Sequence, residues 1–580
     1  MNRPVRIANC SGFYGDRFSA AREMLDGPID VLTGDYLAEL TMLIMWKARR
    51  KDQSLGYAAT FLRQMQDVLG TCLERGVKVV ANAGGLNPEG LAAKIKELAP
   101  QARVAYINGD DLASAIKDLQ AEGHDFTNTD TGVPLAKAEL PVVTANAYLG
   151  GWGITTALQA GADVVITGRV TDASLVTGPA AWWHGWRRDD WDALAGAIAA
   201  GHVIECGAQA TGGNYSFLDE ITDRRFPGFP IAEVAADGSS VITKHDGTGG
   251  LVSPGTVTAQ LLYEIAEPAY LNPDATAHFD TIRVERVDRH RVALTGTRGS
   301  PPPATLKVAL NMLGGYRNTM TMVITGLDVE AKAQYARDLL SARLPDFTET
   351  DVRLLRFDRP DAPSNELATA HLRITVKDQD ERKAGRAFSD AIVELALAGY
   401  AGFHTTAPPG GASAFGVYWP TLVPKSLVAE QVHLPDGSTT SVPHNNYDPG
   451  PLAGLQAAEV NGPEPEAEDP AQVAVPLGRL CGARSGDKGG NANVGLWAVS
   501  PAAYAWLRRH LTVGRFRELL TEAAGLEVDR YELPNLLALN FVVHGLLAPG
   551  VSATARPDPQ AKGLGEYLRS RLVTVPPDLA

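Results

Sequence analysis

The sequence predicts an α/β protein whose N-terminal part is a doubly wound, mostly parallel sheet, followed by α+β ferredoxin-like modules. Short apolar runs recur there, each followed by a loop of Gly or small polar residues and then by a helical pattern. Val164–Thr167 is the clearest run, because it is β-branched and does not alternate, as in a strand covered on both faces. The helical pattern before it stops at Gly161. A barrel would repeat the same units and stays the alternative architecture.

The composition bounds the class of protein. A chain of 580 residues exceeds what one hydrophobic core supports, so several domains are expected. Its 53 basic and 67 acidic residues give a net charge of −14, which argues against the clustered basic surface of a nucleic-acid-binding protein. The expected partner is therefore a small-molecule substrate and not a nucleic acid. A homo-oligomer is also expected.

No segment of the sequence suggests export or a membrane anchor. The N-terminus lacks an apolar stretch of signal-peptide length, and the richest apolar run, residues 37–46, contains Glu39 and is too short to span a bilayer. The four cysteines are widely spaced and form no CxxC motif, as is typical of a reducing compartment. We therefore expect a cytoplasmic protein without a membrane partner, a disulfide or a zinc cluster.

In chain order, each early strand ends in a loop that offers polar groups. Apolar runs at residues 5–8, 29–33, 77–80 and 103–107 are each followed by Gly or small polar residues. Loops at the carboxyl ends of parallel strands line the ligand crevice of such sheets. The first three loops supply these candidate substrate-binding residues: Ser11, Asp35, Asn82, Gly84 and Gly85.

Residues 141–217 are the stretch around which the site is predicted. Apolar runs and glycine-rich loops alternate through it, and we place its later loop at a strand end as well. We interpret the stretch as the floor of an active or binding site. It supplies these candidate substrate-binding residues: Arg169, Gln209, Gly212, Gly213 and Asn214.

Asp172 is the first candidate catalytic residue. A carboxylate just after a strand can serve as a general base, or it can cap the following helix. Arg169 lies three residues earlier and either pairs with Asp172 or clamps a carboxylate or phosphate of a ligand. Glu205 competes with Asp172 for the role of catalytic acid or base.

Cys206 is a candidate nucleophile, which would need a nearby base. On a strand, His202 would lie ~13 Å away on the same face, whereas a helical turn would bring the two side chains together. The alternative is that Cys206 is a small buried apolar residue. The Gly pairs either offer backbone amides to a developing oxyanion or form tight turns. No residue spacing matches a metal motif, so no metal is expected.

The chain is predicted to comprise three domains and a linker. Residues 1–270 form the α/β domain with Gly-rich loops at its strand ends. Residues 271–458 show the order β-α-β-β-α-β, the split βαβ plan of ferredoxin-like domains. Residues 459–472 are acidic and Pro-rich, which is the composition of a linker. Residues 473–580 form a small C-terminal α+β module.

A polar segment of the C-terminal module, ARSGDKGGNAN, supplies Arg484, Asp487 and Lys488 as further candidate binding residues. The spacing of a P-loop is missing. Its amides and cations fit a phosphate or carboxylate, and the alternative is a solvated hairpin tip.

Four long motifs stand out along the chain: ITGRVTDASLVTGPAAW, GHVIECGAQATGGNYSF, TAPPGGASAFGVYWP and ARSGDKGGNANVGLWA. In this order they resemble the acyclic terpene utilisation (AtuA-like) family. The resemblance implies a large N-terminal region and a small C-terminal ferredoxin-like domain. It also implies catabolism of acyclic terpenes such as citronellol and geraniol, which runs through branched acyl-CoA thioesters. It transfers no catalytic residue.

We therefore expect an enzyme of acyl-CoA or organic-acid catabolism, of the hydratase or lyase type. Such reactions develop negative charge on the thioester oxygen, and polar loops can stabilise that charge. Two alternatives stay open: a Cys-dependent hydrolase, and a non-catalytic accessory subunit of an acyl-CoA-processing complex. No cofactor is firmly implied beyond the CoA moiety of the substrate.

Overall fold

The computed structural model describes residues 3–443 and 472–580. Residues 459–471 of the predicted linker lie outside the described residues. The chain divides into two compact units. Unit 1 lies within Met1–Asn311, Tyr418–Val551 and Asp558–Ala580, and unit 2 comprises Met312–Val417 and Ser552–Pro557. The domain boundaries at residues 270 and 458 stay predictions.

The first 300 residues alternate strands and helices. The strands are β1 (Val5–Asn9), β2 (Val31–Gly34), β3 (Lys78–Ala81), β4 (Val104–Asn108), β5 (Val142–Ala147), β6 (Val164–Thr167), β7 (Pro230–Val234), β8 (Ser240–Lys244), β9 (Ala269–Leu271), β10 (Thr276–His278), β11 (Arg283–Asp288), β12 (Arg291–Thr295) and β13 (Arg298–Ser300). The helices are α1 (Ala20–Met24), α2 (Glu39–Lys51), α3 (Ala59–Arg75), α4 (Pro88–Leu98), α5 (Ile116–Ala121), α6 (Trp152–Gln159), α7 (Ser174–His184), α8 (Trp191–Ile204) and α9 (Pro254–Leu261).

The remaining elements follow in chain order. Those up to the undescribed segment are β14 (Thr305–Thr325), α10 (Val329–Ser341), β15 (Glu349–Arg356), β16 (Thr369–Asp378), α11 (Phe388–Val393), α12 (Leu395–Ala398), β17 (His404–Thr405), β18 (Ser413–Pro424), β19 (Gln431–His433) and β20 (Thr439–Ser441). Those after it are β21 (Val473–Pro476), β22 (Cys481–Lys488), β23 (Asn491–Ala498), α13 (Pro501–His510), α14 (Val513–Leu519), β24 (Val528–Leu533), β25 (Ala538–Val543), α15 (Leu564–Ser570) and β26 (Leu572–Val575).

The main sheet of unit 1 has the strand order β11-β12-β8-β7-β1-β2-β3-β6-β4-β19-β20. Its centre, β1-β2-β3-β6-β4, is parallel, and these strands are almost wholly buried. The α/β class is therefore confirmed. The predicted mostly parallel, doubly wound sheet is not confirmed, because the sheet is mixed: antiparallel strands extend both edges.

Short hairpins explain the antiparallel edges. β7 and β8 pair through a turn at residues 235–239, and β11 and β12 pair through a turn at residues 289–290. Strands joined by such short turns can only run antiparallel, since a parallel pair needs a crossover of a dozen or more residues. The sequence pattern located the strand at residues 164–167 correctly but did not show which strand each hairpin would join.

Local signals begin several of the helices that flank the sheet. Asn87 accepts a hydrogen bond from the Gly90 amide at 3.0 Å and is followed by Pro88, so α4 has both an N-cap and a proline at its first position. Ser253 and Thr256 form a capping box before α9. Gly76, with φ of 71°, ends α3 in the left-handed conformation.

The stretch after α8 differs from the sequence prediction. We placed Glu205, Cys206 and Gln209 at a strand end, but α8 ends at Ile204 and residues 207–211 form a 3-10 turn. The run of Ala and Gly in α8 explains the difference, because small side chains let a fully buried helix pack closely against its neighbours. The helical alternative for residues 202–206 is therefore the correct one.

Unit 2 is a small α+β body. Its strands follow the order β15-β16-β14-β17, and β18 also pairs with β14. Helices α10 and α11 pack on this sheet through a core that includes Met322, Leu372 and Phe388. In chain order the elements are β14, α10, β15, β16, α11, α12, β17 and β18, so the predicted β-α-β-β-α-β order holds for the longer elements, with the short α12 and β17 added between α11 and β18.

The C-terminal module lies within unit 1 and has the antiparallel sheet β22-β23-β25-β24. The module begins with β21, which is followed by a 3-10 turn at residues 477–479. Arg484 and Asp487, expected in a loop, lie on β22, and the hairpin turns at Gly489-Gly490. Gly, Asp and Lys are poor strand formers, so the strand conformation of residues 484–488 depends on their pairing with β23.

Within the described ranges, no helix has the length and apolar character needed to cross a bilayer.

Candidate active site

The carboxyl ends of the five parallel strands bring polar residues to one edge of the sheet. Asn9 ends β1, Asp35 follows β2, Asn82 follows β3, Asp110 lies two residues after β4, and Arg169 lies two residues after β6. All five are buried. Buried polar groups must find partners, and these residues bond largely to one another and to neighbouring backbone.

Asn82 holds Asp35 in place. Its Nδ2 donates to Oδ1 of Asp35 at 2.6 Å, while its Oδ1 accepts from the Tyr36 amide at 2.7 Å. The Leu37 amide also donates to Oδ1 of Asp35 at 3.2 Å. Asn82 therefore acts as a positioning residue, and one oxygen of the Asp35 carboxyl is fixed by these donors.

Arg169 and Asp172 form an ion pair. Nη1 of Arg169 lies 2.7 Å from Oδ1 of Asp172 and also donates to the Leu37 carbonyl at 2.7 Å. The guanidinium lies over the Tyr148 ring, 4.2 Å from its centroid. The side chain of Arg169 is 5% exposed and that of Asp172 is 28% exposed. Of the two roles considered for Arg169, the ion pair with Asp172 is the one observed.

The Asp172 side chain is the most open of the candidate carboxyls, at 28% exposed. Helix α7 begins at Ser174, and its N-cap residue is Ala173, which makes no side-chain capping bond. The capping interpretation of Asp172 stays open beside the catalytic one.

Glu205 is placed by the end of α8. Nδ2 of Asn9 donates to the carbonyls of Ile204 and Glu205 at 2.7 and 2.9 Å, which fixes this helix end against β1. The Glu205 side chain is buried, and its Oε2 has no hydrogen-bond partner among residues 3–443 and 472–580. Its Oε1 lies 3.2 Å from Nδ1 of His202. Burial lowers the pKa of His202 to about 4, so this ring is neutral at pH 7.

Burial favours the protonated form of the Asp35 and Glu205 carboxyls by raising the pKa of each. Burial raises the pKa of Asp35 well above its usual range, and the charge of Asp172 raises it further. Burial likewise raises the pKa of Glu205, with added contributions from Asp172 and Glu264. The three candidates Asp35, Asp172 and Glu205 therefore act on one another's charge and share one site, to which Asn82 is bonded.

Cys206 adjoins this site as a neutral thiol. Burial raises its pKa well above the usual range, and the nearby Glu205 raises it further. The loop after β1 touches the same turn, since a Cβ added at Gly12 would lie 2.6 Å from the Cys206 carbonyl carbon. Only glycine allows this close approach.

The C-terminal module borders the site through Arg484. Its guanidinium lies over the Tyr263 ring, 4.3 Å from the centroid. It donates to Oε1 of Gln209 and, at 3.4 Å, to the carbonyl of Asn214. Arg484 is 7% exposed, and its Nε has no partner among the residues that the structure describes. Three predicted binding residues, Gln209, Asn214 and Arg484, are thus brought together.

Two lysines of the module surround Glu264. Lys488 donates to the Glu264 carbonyl at 3.1 Å. Nζ of Lys562 bonds to the Tyr263 hydroxyl and lies 4.0 Å from Oε1 of Glu264 and 4.0 Å from Oδ1 of Asp487. The positive charge of Lys562 acts on the Cys206 thiol, so this cluster and the carboxyl group are neighbours.

The predicted donors of the glycine loops are already used within the chain. The Gly84 amide donates to the Thr167 carbonyl at 3.0 Å, and the Gly213 amide donates to the Ala208 carbonyl at 2.9 Å. The same holds for three further predicted residues, whose donors bond to neighbouring carbonyls: Gly85, Gly212 and Ser11. At these positions the tight-turn interpretation fits the geometry.

Sequence reasoning missed Tyr263, Glu264 and Lys562. No motif marks them, and they reach the site through contacts between segments about 220–300 residues apart in sequence. Asp110 could have been found, because it follows β4 in the same way that Asp35 follows β2. Within the described ranges no group of three or more His, Cys, Asp or Glu side chains is arranged to hold a metal ion.

Residues 5–434 match the profile of the acyclic terpene utilisation family protein AtuA. The chain belongs to the acyclic terpene utilisation family. In this AtuA family chain, residues 475–574 match the AtuA ferredoxin-like domain, which confirms both predicted parts of the resemblance. Comparison with curated proteins and with solved structures gave no match. Family membership implies a role in acyclic terpene utilisation.

The family match covers both sides of the site in this AtuA family chain. Asp172, Glu205 and Cys206 lie in the large matched region, and Arg484 and Lys562 lie in the ferredoxin-like domain.

Proposed function

We propose that the chain is a hydratase or lyase that acts on a branched acyl-CoA thioester during acyclic terpene breakdown. One observation carries the proposal: a single site holds two buried carboxyls whose pKa values are raised, beside a carboxylate ion-paired to an arginine. When the surroundings of neighbouring carboxyls shift their pKa values apart, the carboxyl with the raised pKa can act as the acid and the ionised one as the base.

The proposed chemistry adds water across a carbon–carbon double bond conjugated to the thioester. Asp172 takes a proton from water, whose oxygen bonds to the β-carbon of the acyl group. Glu205 gives its proton to the α-carbon as the electron pair of the double bond moves there. The reverse sequence eliminates water. The protonated Asp35 carboxyl donates a hydrogen bond to the thioester oxygen, where negative charge develops.

Arg484 and Lys562 suit the charged part of the substrate. An arginine stacked on an aromatic ring with an unpartnered Nε offers directed donors to a phosphate or carboxylate. Gln209 and Asn214 hold the guanidinium in that position. CoA thus enters as part of the substrate and not as a separate cofactor.

The alternative of a Cys-dependent hydrolase has less support. A nucleophilic cysteine needs a lowered thiol pKa, whereas burial and Glu205 raise the pKa of Cys206. His202, the base considered for it, is buried at the Glu205 side chain and beside two aromatic rings.

The test is turnover of a panel of branched 2-enoyl-CoA thioesters by the purified full-length chain, followed by mass spectrometry. We expect one or more thioesters to gain the mass of one water. The D172N variant should lose at least about 100-fold in kcat, the usual contribution of a positioned general base. D223N is the matched control, because Asp223 also pairs with an arginine but lies in an exposed loop.

Two outcomes would contradict the proposal. Equal losses in D172N and D223N would show that the carboxylate of Asp172 has no special role. An absence of turnover across the panel, together with retention of a carboxylase or dehydrogenase on the purified chain, would favour the accessory-subunit alternative.

A further inference from the structure

A small polar cavity lies between the start of α6, the loop that carries Asp274 and the segment that carries Lys425 and Glu430. It encloses about 40 Å³ and is lined by Trp152, Arg188, Asp274, Lys425 and Glu430, with an apolar rim. About 10–15 Å³ of such volume holds one water molecule, so the space suits roughly three waters or one anion of a few heavy atoms. None of the lining side chains belongs to the site described above.

Two polar atoms of the cavity lining lack partners. Oε1 of Glu430 and Nε1 of Trp152 are buried and make no hydrogen bond within the part of the chain that the structure describes. Glu430 is 7% exposed. A buried donor or acceptor without a hydrogen-bond partner costs about 1–3 kcal/mol. Two such atoms at one small cavity therefore indicate that a ligand binds there.

The charges around the cavity favour an anion. Lys425 donates to the Pro273 carbonyl at 2.8 Å, and Arg188 donates to the Pro443 carbonyl at 2.7 Å. Asp274 is the opposing carboxylate, and its Oδ2 accepts from the Gly151 amide at 2.7 Å. Burial raises the pKa of Glu430 to about 8, so at pH 7 this group is neutral and can donate.

We propose that this cavity binds a small monocarboxylate of formate or acetate size. The indole N–H of Trp152 and the protonated Glu430 carboxyl donate to its oxygens, and Lys425 and Arg188 balance its charge. Asp274 also lies 3.5 Å from the Ser174 hydroxyl, at the start of α7. Ser174 lies two residues after Asp172. The proposal does not depend on the reaction catalysed.

The test is calorimetric titration of the full-length chain with sodium acetate at pH 7. Pivalate is the matched ligand control, because it has the same charge and carboxylate but a bulkier body. We expect saturable binding of acetate and none of pivalate. K425M should bind acetate at least tenfold more weakly. K94M is the control, because Lys94 is an exposed lysine of α4 that does not line the cavity, and it should bind acetate as the unchanged chain does.

A second variant covers a failure of K425M to fold. W152F keeps an aromatic ring but lacks the indole N–H, so its affinity for acetate should fall several-fold. Equal heats with acetate and pivalate, or full acetate affinity in W152F or in folded K425M, would overturn the proposal.

The pH dependence of binding gives an independent readout. Burial lowers the pKa of Lys425 to about 8, close to that of Glu430. The charged groups that face this pair are Asp274, Arg188 and, for Glu430, Asp110. Both titrating groups lose protons above pH 8, so acetate affinity should fall at least several-fold between pH 7 and pH 9. Unchanged affinity at pH 9 would contradict the assigned donors.

Discussion

At the scale of single residues, burial sets the carboxyls of the candidate site apart. Asp35 and Glu205 are closed off from water, while Asp172 is partly open and paired with Arg169. Removing a carboxylate from water disfavours its charge, and an adjacent arginine favours it. The proposed roles of acid and base depend on this difference in environment.

The first prediction concerns the thiol. C206S should keep turnover within about tenfold of the unchanged chain, because a neutral, half-buried thiol acts by packing and not as a nucleophile. Steady-state kinetics on the best thioester checks this. A loss comparable to that of D172N would restore the Cys-dependent hydrolase as the better reading of the site.

The second prediction concerns Arg484, which we propose binds the charged part of the substrate. R484M should raise KM for the thioester by about 10–100-fold with a smaller change in kcat, since a charge-assisted hydrogen bond contributes roughly 1.5–3 kcal/mol. R484K is the conservative control and should recover part of the loss. An unchanged KM in R484M would remove Arg484 from substrate binding.

Sequence reasoning found the part of the site that local order specifies. Asp35, Asn82 and Asp172 follow strands, and the carboxyl ends of parallel strands meet at one edge. Tyr263 and Lys562 could not be found in this way, because residues about 300 positions apart form no local sequence motif that would predict their contact.

At the scale of elements, two strands of the ferredoxin-like domain hold the turn that carries Glu264. Asn493 on β23 accepts from the Glu264 amide at 2.8 Å and bonds to Asn540 on β25. Asn540 donates to the carbonyls of Ile265 and Ala266 at 3.2 and 2.7 Å. The domain thus fixes a loop at the edge of the site, which gives its strands a positioning role.

The third prediction tests this role. N540A should lower the free energy of unfolding by about 1–3 kcal/mol, because two buried carbonyls lose their donor. It should also change KM for the thioester. N535A is the matched control, since Asn535 likewise donates to two carbonyls, those of Phe279 and Ile282. A KM shift of equal size in both variants would show a general stability effect and not positioning.

The elements also show where sequence patterns stop being informative. β6 is as predicted, because a β-branched run without alternation specifies a buried strand. The sequence did not predict that the β7–β8 hairpin pairs with β1. The residues of the hairpin do not specify the sheet edge to which it adds. Helix α8, which ends at Ile204, was missed because its many Ala and Gly residues show no amphipathic period.

At the scale of the whole molecule, buried carboxyls link stability to pH. Burial raises the pKa of Asp110 to about 7 and that of Glu430 to about 8. In the pH interval from the usual carboxyl pKa range up to these raised pKa values, the folded state therefore binds more protons than the unfolded chain. Their contribution to stability is full at low pH and is lost as the pH rises through 7 and 8.

The fourth prediction follows from that sign. Between pH 6.5 and 7.5, the free energy of unfolding should fall less steeply in E430Q than in the unchanged chain, by up to about 1.4 kcal/mol per pH unit. Other titrating groups, including His202 and Lys425, are present in both chains, so their contributions cancel in the comparison of slopes. Urea unfolding in carboxylate-free buffer measures it. Identical slopes would mean that Glu430 is ionised in the folded state.

The most direct test of the central claim is a structure of the chain with a saturated branched acyl-CoA, which binds but cannot react. We predict that the thioester oxygen lies within hydrogen-bond distance, about 3.2 Å or less, of the Asp35 carboxyl, and that the α-carbon faces Glu205. The acyl β-carbon should face Asp172, and a charged group of the ligand should meet Arg484. A thioester bound away from these carboxyls would contradict the account.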